Sequence, residues 1–439
     1  MIPFQQFEKT PIVSSAPEVL GTTEKLLLKA TSLFPGKQIS LKLNFYSQFL
    51  YFLEIVGLYL IAKNQLTDQL HAGMPATSSD RLQNSLLQML FHYQIISKKG
   101  TRYIFSEKCN SLTSADFQFI LNLVENQSKP SDVEPPVALK KECTAFLLIL
   151  ELISFYRNRD YAFIKTQHAT QWKQLISSKQ LDYEIRLSET LLQLTRLELP
   201  HKIRSPFEDN YYTESGRNAF LNFTRDQFLS CISEINQHHP VQQVLDIGCG
   251  YGDYIEAIHS QLPQTKITGI ELQEKVFAET HKRFSGNKNI ELLNQNIFDF
   301  TSSEKVDLVL LNYVLFYFSN EQKEKLFGQL HQQLQDTGSI LVCQYYAGIE
   351  PLKAELAKKQ KDHSPKKRIG MYYGNKILYA NALWNEASDA FVQSEIWDEF
   401  VSILQKTGFE ISALTHADPF YFSLFVEIRK TTEITPRKN

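Results

Sequence analysis

The sequence predicts two domains, a mostly helical one over residues 1–205 and an α/β one over residues 206–439 built on a seven-stranded, mainly parallel sheet. Three observations predict this division. The chain has 439 residues, more than one ordinary core holds at roughly 100–200 residues per domain. Between Ser111 and about Leu199 the apolar spacing is helical throughout, with little strand signal. From Gln242 onward, strand and helix patterns alternate, which specifies parallel strands with helices on both faces of the sheet.

From the N-terminal side, apolar residues at helical spacing run from Phe49 to Leu60. Ser78-Ser79-Asp80 then offers an N-cap for a second helix carrying Leu82, Leu86, Leu90 and Tyr93 on one side. Ile95-Ile96 and Tyr103-Ile104-Phe105 are short β-prone runs flanking Lys98-Lys99-Gly100-Thr101, where glycine suits a tight turn. Helix, helix, hairpin over about 40–108 is a winged-helix-like order, expected to act in dimerisation or as a substrate lid. The DNA-binding alternative would put the Leu82 helix in the major groove and Lys98, Lys99 and Arg102 on phosphate. Pro200 and Pro206 bracket a polar passage that reads as the linker into the second domain.

In that domain strands are expected at 243–247, 266–270, 290–293, 306–311, 338–343, 409–414 and 420–428. Helices are expected at 253–261, 274–284 and 321–334. Between the fifth strand and the helix near Trp397 runs a long connection, about 345–394, which reads as a cap over a substrate.

Bulk properties narrow the partners. With 46 basic and 48 acidic residues the net charge is −2, so nothing global draws the chain to nucleic acid or an anionic membrane. The five cysteines are odd in number and form no C-x-x-C pair, which fits free thiols in a reducing cytosol and a cytoplasmic protein. No signal-peptide pattern opens the chain, and the apolar runs Phe49–Ala62 and Ala145–Tyr156 fall short of a membrane span, so neither export nor a membrane partner is expected. No acid or histidine cluster has metal-ligand spacing, so no metal is expected.

The chemistry concentrates at Val244-Leu245-Asp246-Ile247-Gly248-Cys249-Gly250-Tyr251-Gly252, between a predicted strand and a predicted helix. Glycines there allow a tight turn and close backbone approach to a ligand. The spacing G-x-G-x-G departs from the dinucleotide pattern G-x-G-x-x-G, and Asp246 before the loop would repel a pyrophosphate but hold an ammonium. Glu271, at the end of the second strand and followed by Leu272, is placed to accept two ribose hydroxyls. Asn296-Ile297 follows the third strand, where an amide can meet an adenine amino group beside an apolar wall. Asp246, Gly248, Cys249, Gly250, Gly252, Glu271, Leu272, Asn296 and Ile297 are therefore cofactor candidates, with Asn312 after the fourth strand reaching the ligand through its backbone.

These residues resemble motifs I, II and III of the class I S-adenosylmethionine-dependent methyltransferases, with Asn296 where many members have Asp. The resemblance covers roughly residues 240–430 and implies a Rossmann-like fold and S-adenosyl-L-methionine as cofactor. The two-domain order is similar to the small-molecule O-methyltransferases, which implies a homodimer joined through the N-terminal domain. It fails at one place: where those enzymes carry a His-Asp pair whose histidine is the base, this chain has Phe316-Tyr317.

Tyr317 and His363 are thus the candidates for handling a proton, and Tyr211, Tyr212, Phe316, Tyr317, Tyr345 and Tyr346 are candidates for lining the acceptor site. The expected function is methyl transfer to a small molecule at O, N or C. The alternatives are a modifier of protein or RNA, and a winged-helix regulator that senses S-adenosylmethionine without catalysis. Against DNA adenine modification stands the absence of Asn-Pro-Pro-Tyr after the fourth strand, where this chain reads Leu311-Asn312-Tyr313.

Overall fold

The computed structural model describes residues 1–14, 16–32, 38–76, 78–126, 135–158, 169–178, 181–207, 210–302 and 304–431. They form two compact units, one of residues 15–205 and 364–390, the other of residues 1–14, 206–363 and 391–439.

The first unit is built around the helix Gln38–Lys63, which packs on Lys140–Asn158 with Phe52 stacked on Phe146 at 5.5 Å. Its segment Lys42–Lys63 is longer than the apolar run read from the sequence and could cross a membrane by length and composition alone. In the structure 67% of that window is buried within the protein, as expected of a core helix. A short helix Thr67–Ala72, the strand Met74–Pro75, the helix Arg81–His92 and the hairpin Ile96–Lys99/Arg102–Phe105 follow in order. Asp80 caps the Arg81 helix by accepting from the Leu82 and Gln83 amides, and Gly100 turns the hairpin at φ +60°.

The long connection after the fifth predicted strand does not form one cap. Its second half is a helix, Pro365–Ala387, that belongs to this first unit. The helix packs on Arg81–His92, with Tyr379 stacked 3.7 Å from His92, the Tyr93 hydroxyl donating to the Lys376 carbonyl, and Arg81 paired with Glu386. Burial along most of its length explains the placement: a helix with this much apolar surface stays where it is covered.

The second unit holds a mixed sheet of eight strands, one more than expected. Its strands are β1 (Ile2–Pro3), β2 (Gln243–Ile247), β3 (Lys266–Glu271), β4 (Ile290–Asn294), β5 (Val306–Asn312), β6 (Leu334–Tyr345), β7 (Phe409–His416) and β8 (Ser423–Lys430). The spatial order is β1-β7-β8-β6-β5-β2-β3-β4. The run β6-β5-β2-β3-β4 is parallel, and β8, β7 and β1 continue it in antiparallel pairs.

The helices of this unit are α1 (Asn210–Ala219), α2 (Arg225–His238), α3 (Asp253–Gln261), α4 (Glu274–Phe284), α5 (Asn320–Gln333), α6 (Glu350–Lys359) and α7 (Trp397–Lys406). A π-helical turn, Phe220–Thr224, joins α1 to α2. Ser319 and Gln322 form a capping box that starts α5. Strand β8 begins at Ser423 rather than near 420 because the Asp418 carboxylate collects the amides of Phe420, Phe422 and Ser423 into a turn.

Strand β2 lies between β3 and β5, so connections leave it toward both sides of the sheet. A crevice at the carboxyl ends of strands forms at such a switch point. The glycine-rich loop after β2 and the end of β5 meet there.

Candidate functional site

The loop between β2 and α3 is shaped by three left-handed glycines, Gly248 (φ +70°), Gly250 (φ +53°) and Gly252 (φ +75°). At Gly252 a side chain would also run into the Phe284 ring and lie 3.0 Å from Thr280 Cγ2, so glycine is required there twice over. The amides of Gly248 and Cys249 bond the Ile270 carbonyl at 2.8 and 3.0 Å, which ties the loop to the end of β3. Cys249 is buried beneath it, and its thiol is pushed well up by burial and by the nearby Asp246 and Glu271.

Asp246 is 1% exposed, and its Oδ2 has no hydrogen-bond partner among the described residues. Burial first, and then the Glu271 carboxylate, raise its pKa from 3.8 to about 7. Glu271 spans the mouth of the loop: Oε2 accepts from the Gly250 amide at 3.0 Å and Oε1 from the Gln273 amide at 2.8 Å. Burial raises its pKa against those bonds. Asn312, at the end of β5, is nearly buried, with both amide atoms unpartnered among the described residues. Buried polar atoms left open are costly unless something meets them, which makes Asp246 and Asn312 the candidates for a polar floor to this site.

Asn296 is exposed and caps a short 3-10 turn, its side chain accepting from the Phe298 amide at 3.0 Å. Ile297 is buried behind it, and Leu272 presents an apolar side chain that is 65% exposed.

Helix α1, which carries the candidate residues Tyr211 and Tyr212, lies against the loop. A Cβ on Gly250 would lie 3.1 Å from Thr213 Cγ2, and Arg217 reaches both Asp253 at 3.4 Å and the face of the Tyr251 ring at 5.4 Å. Arg283 holds Asp253 from the other side at 2.9 Å and donates to the Tyr251 carbonyl at 2.6 Å.

Beyond Glu271 the side chains become aromatic. Phe316 and Tyr317 lie on a 3-10 turn after β5 with their rings 4.7 Å apart. Phe316 stacks on Tyr345 at 5.8 Å, and Tyr345 meets Phe422 at 5.7 Å. Tyr212 of α1 meets Phe391 edge-on at 4.7 Å, while Tyr211 stacks on Phe207 at 4.1 Å. Tyr317 remains 36% exposed, and its phenol is pushed far up by desolvation and by Tyr345, Tyr212 and Glu271.

Two of the sequence-based candidates stand elsewhere. Tyr346 is fully buried against Trp397 and Phe400, at 5.0 and 5.6 Å, because neighbouring residues at a strand end point to opposite faces and Tyr345 holds the site side. His363 is exposed in the turn between α6 and the helix Pro365–Ala387, outside the ring cluster just described. Phe391 and Phe422 take part in that cluster and were missed, since single aromatics in loops carry no periodicity.

Residues 238–408 match the family model described as a methyltransferase domain. The chain is 28% identical over 176 residues to trans-aconitate 2-methyltransferase of Rhodopseudomonas palustris (strain BisA53), covering 36% of this chain and 66% of that protein. It is 25% identical over 164 residues to phosphoethanolamine N-methyltransferase of Plasmodium falciparum (isolate 3D7), covering 35% of this chain and 61% of that protein. The match thus spans just under two thirds of those relatives. Among solved structures, an O-methyltransferase family 2 protein from Planctomyces limnophilus DSM 3776, in complex with apigenin, aligns over 95% of this chain and 100% of its own at 12% identity and a TM-score of 0.47.

Proposed function

We propose that the chain is an S-adenosylmethionine-dependent methyltransferase that transfers a methyl group to a small-molecule acceptor held against the Phe316–Tyr317 wall, a reading supported by the match of residues 238–408 to the methyltransferase-domain family model. The observation that carries this reading is the continuity of the site: open polar atoms at Asp246 and Asn312, an acid at Glu271, then aromatic rings. When bound, S-adenosylmethionine supplies a methyl group on a sulfonium sulfur, an electrophile that an aligned nucleophile takes directly.

The residues divide the work by chemistry. Asp246, ionised when a cation arrives, holds the ammonium of the amino-acid end, and Asn312 can satisfy the same end with its amide. Glu271 accepts from the ribose hydroxyls, and Leu272 and Ile297 give the adenine an apolar surface. Replacing Glu271 by alanine should weaken S-adenosylhomocysteine binding by about 1.5–3 kcal/mol in calorimetry, the worth of hydrogen bonds to a charged group. Unchanged affinity would remove Glu271 from the site.

The aromatic wall excludes water and orients the acceptor. Because its phenol is held far above the ordinary range, Tyr317 stays protonated at neutral pH and acts as a hydrogen-bond donor, not as a base. The acceptor is then nucleophilic as it binds, or loses its proton to another group. Tyr317→Phe should therefore lower kcat less than tenfold, well below the ~10²–10⁴ of a proton-transferring group. A loss in that larger range would make the hydroxyl a participant in proton transfer.

Transfer from methyl-tritiated S-adenosylmethionine into the small-molecule, protein and RNA fractions of a cell extract tests the acceptor class. Label in the small-molecule fraction is the expected result, and label confined to protein or RNA would overturn it. For the unit of residues 15–205 and 364–390 we propose a winged-helix-like dimerisation module, supported by its helix, helix, hairpin order, and for the whole chain a reducing cytosol, supported by five free, buried thiols. Light scattering on the full chain should give a dimer. A monomer that binds duplex DNA with a steep salt dependence would contradict it.

A further inference from the structure

Phe391 is the ring on which the aromatic wall converges. It packs on Phe316 at 5.1 Å and 90°, on Tyr317 at 5.6 Å and 30°, and on Tyr212 at 4.7 Å and 67°, so rings from separate segments meet through it. Yet Phe391 belongs to neither a helix nor a strand. It starts a short strap between the end of the helix Pro365–Ala387 and the start of α7.

What holds that strap is specific. The amides of Val392 and Gln393 both donate to the Phe316 carbonyl, at 3.0 and 3.3 Å. The Gln393 side chain donates to Asn320 Oδ1 at 2.5 Å, and Asn320 in turn donates to Glu399 at 2.9 Å. Two residues on, Glu395 pairs with Lys323 of α5, both side chains almost wholly out of solvent, at 1% and 2% exposed.

A buried ion pair is a poor source of net stability, since desolvating both charges offsets most of their attraction and apolar residues of like size often do as well. What such a pair supplies is register, because only one alignment of the strap brings the carboxylate to the ammonium. Here register decides which side chain faces the wall: Phe391 points in, whereas Val392 is 43% exposed. A slip by one residue would exchange a ring for an exposed aliphatic side chain.

We propose that the strap from Phe391 to Glu395, latched to α5 by the buried Lys323–Glu395 ion pair, sets the shape of the acceptor wall. Lys323 and Glu395 are then positioning residues and Phe391 a specificity determinant. The assignment to an acceptor rests on the methyltransferase reading of the site; the latch itself does not.

Tyr317 reports on the latch, since its ring lies against Phe391 and its phenol is held up by the packed surroundings. In protein labelled with ¹³Cζ-tyrosine, the Tyr317 resonance is identified by its loss in Tyr317→Phe and followed with pH. In the wild type it should stay untitrated at pH ~10, the ordinary tyrosine value. Phe391→Ala should lower its titration toward that value, since opening the wall relieves desolvation while Tyr345, Tyr212 and Glu271 stay in place.

The double variant Lys323→Met/Glu395→Met, which strands no charge, should produce the same shift, and adding Phe391→Ala to it should produce no more. A folded double variant whose Tyr317 remains silent would overturn the proposal, even with a lowered Tm, because the pair would then be structural only. A silent Tyr317 in Phe391→Ala would equally overturn the part given to Phe391. S-adenosylhomocysteine titrated into the same proteins separates the two readings: its affinity should be the same in all of them. Failure to bind even the wild type would refute the cofactor reading while leaving the latch result in place.

Discussion

Replacing Gly252 by valine should abolish cofactor binding and lower the stability of the sheet unit. Its φ of +75° is a backbone state that a β-branched residue enters at a cost of about 1–3 kcal/mol. The new side chain would also press on the Phe284 ring and Thr280, and overpacking of that kind costs another ~1–3 kcal/mol. The loop must then move, and the turn that carries Gly250 toward Glu271 moves with it. Gly286→Val is the matching control. It has φ +89° with nothing within 4 Å of its would-be Cβ, so it shares the backbone strain without the crowding. Thermal unfolding and S-adenosylhomocysteine calorimetry on both variants should show a Tm loss in each but lost binding only at 252. Wild-type affinity in Gly252→Val would show that the loop is not a cradle.

Asp246→Asn should act in opposite directions on binding and on stability. Removing the charge proposed to hold an ammonium should weaken the cofactor about 100-fold, corresponding to the ~3 kcal/mol of a strong charge-assisted bond. Stability of the ligand-free protein changes the other way. The folded-state pKa of Asp246 is raised from 3.8 to about 7, so its favourable contribution is present below about pH 4 and lost as pH rises through about 7. Asparagine has no proton to lose there. The variant should match the wild type in Tm near pH 4 when that difference is set to zero, and exceed it progressively toward pH 8. Parallel Tm curves for the two proteins across that range would mean that Asp246 is not the buried, uncompensated acid described above.

The glycine loop and the acids beside it were legible in the sequence because their placement depends on local order along the chain. A strand running into alternate glycines, an acid before them and an acid closing the next strand are each readable within a few residues, and Asp246, the glycines and Glu271 stand together in the structure. The aromatic cluster was less legible because it is assembled from distant pieces. Phe391 and Phe422 sit in loops, where an aromatic residue leaves no periodic trace.

Tyr346 was misplaced although the signal was available: adjacent residues at a strand end face opposite sides, so Tyr345 and Tyr346 could not both line one site. Ser364-Pro365 likewise marks a helix start, with Ser364 accepting from the Lys367 amide. What the sequence could not show is that the helix is covered by Arg81–His92, far along the chain. The edge strand Ile2–Pro3 was invisible for a simpler reason, since two residues ending in proline carry no strand pattern.

Calorimetric titration of S-adenosylhomocysteine into the full chain at pH 6 and pH 8 tests whether the loop after β2 and Asp246 bind the cofactor. One site per chain is expected, with affinity higher at pH 8 because Asp246 is then already ionised and no proton must be displaced, and with that pH dependence gone in Asp246→Asn. No saturable binding at either pH, or equal binding by Asp246→Asn, would contradict it.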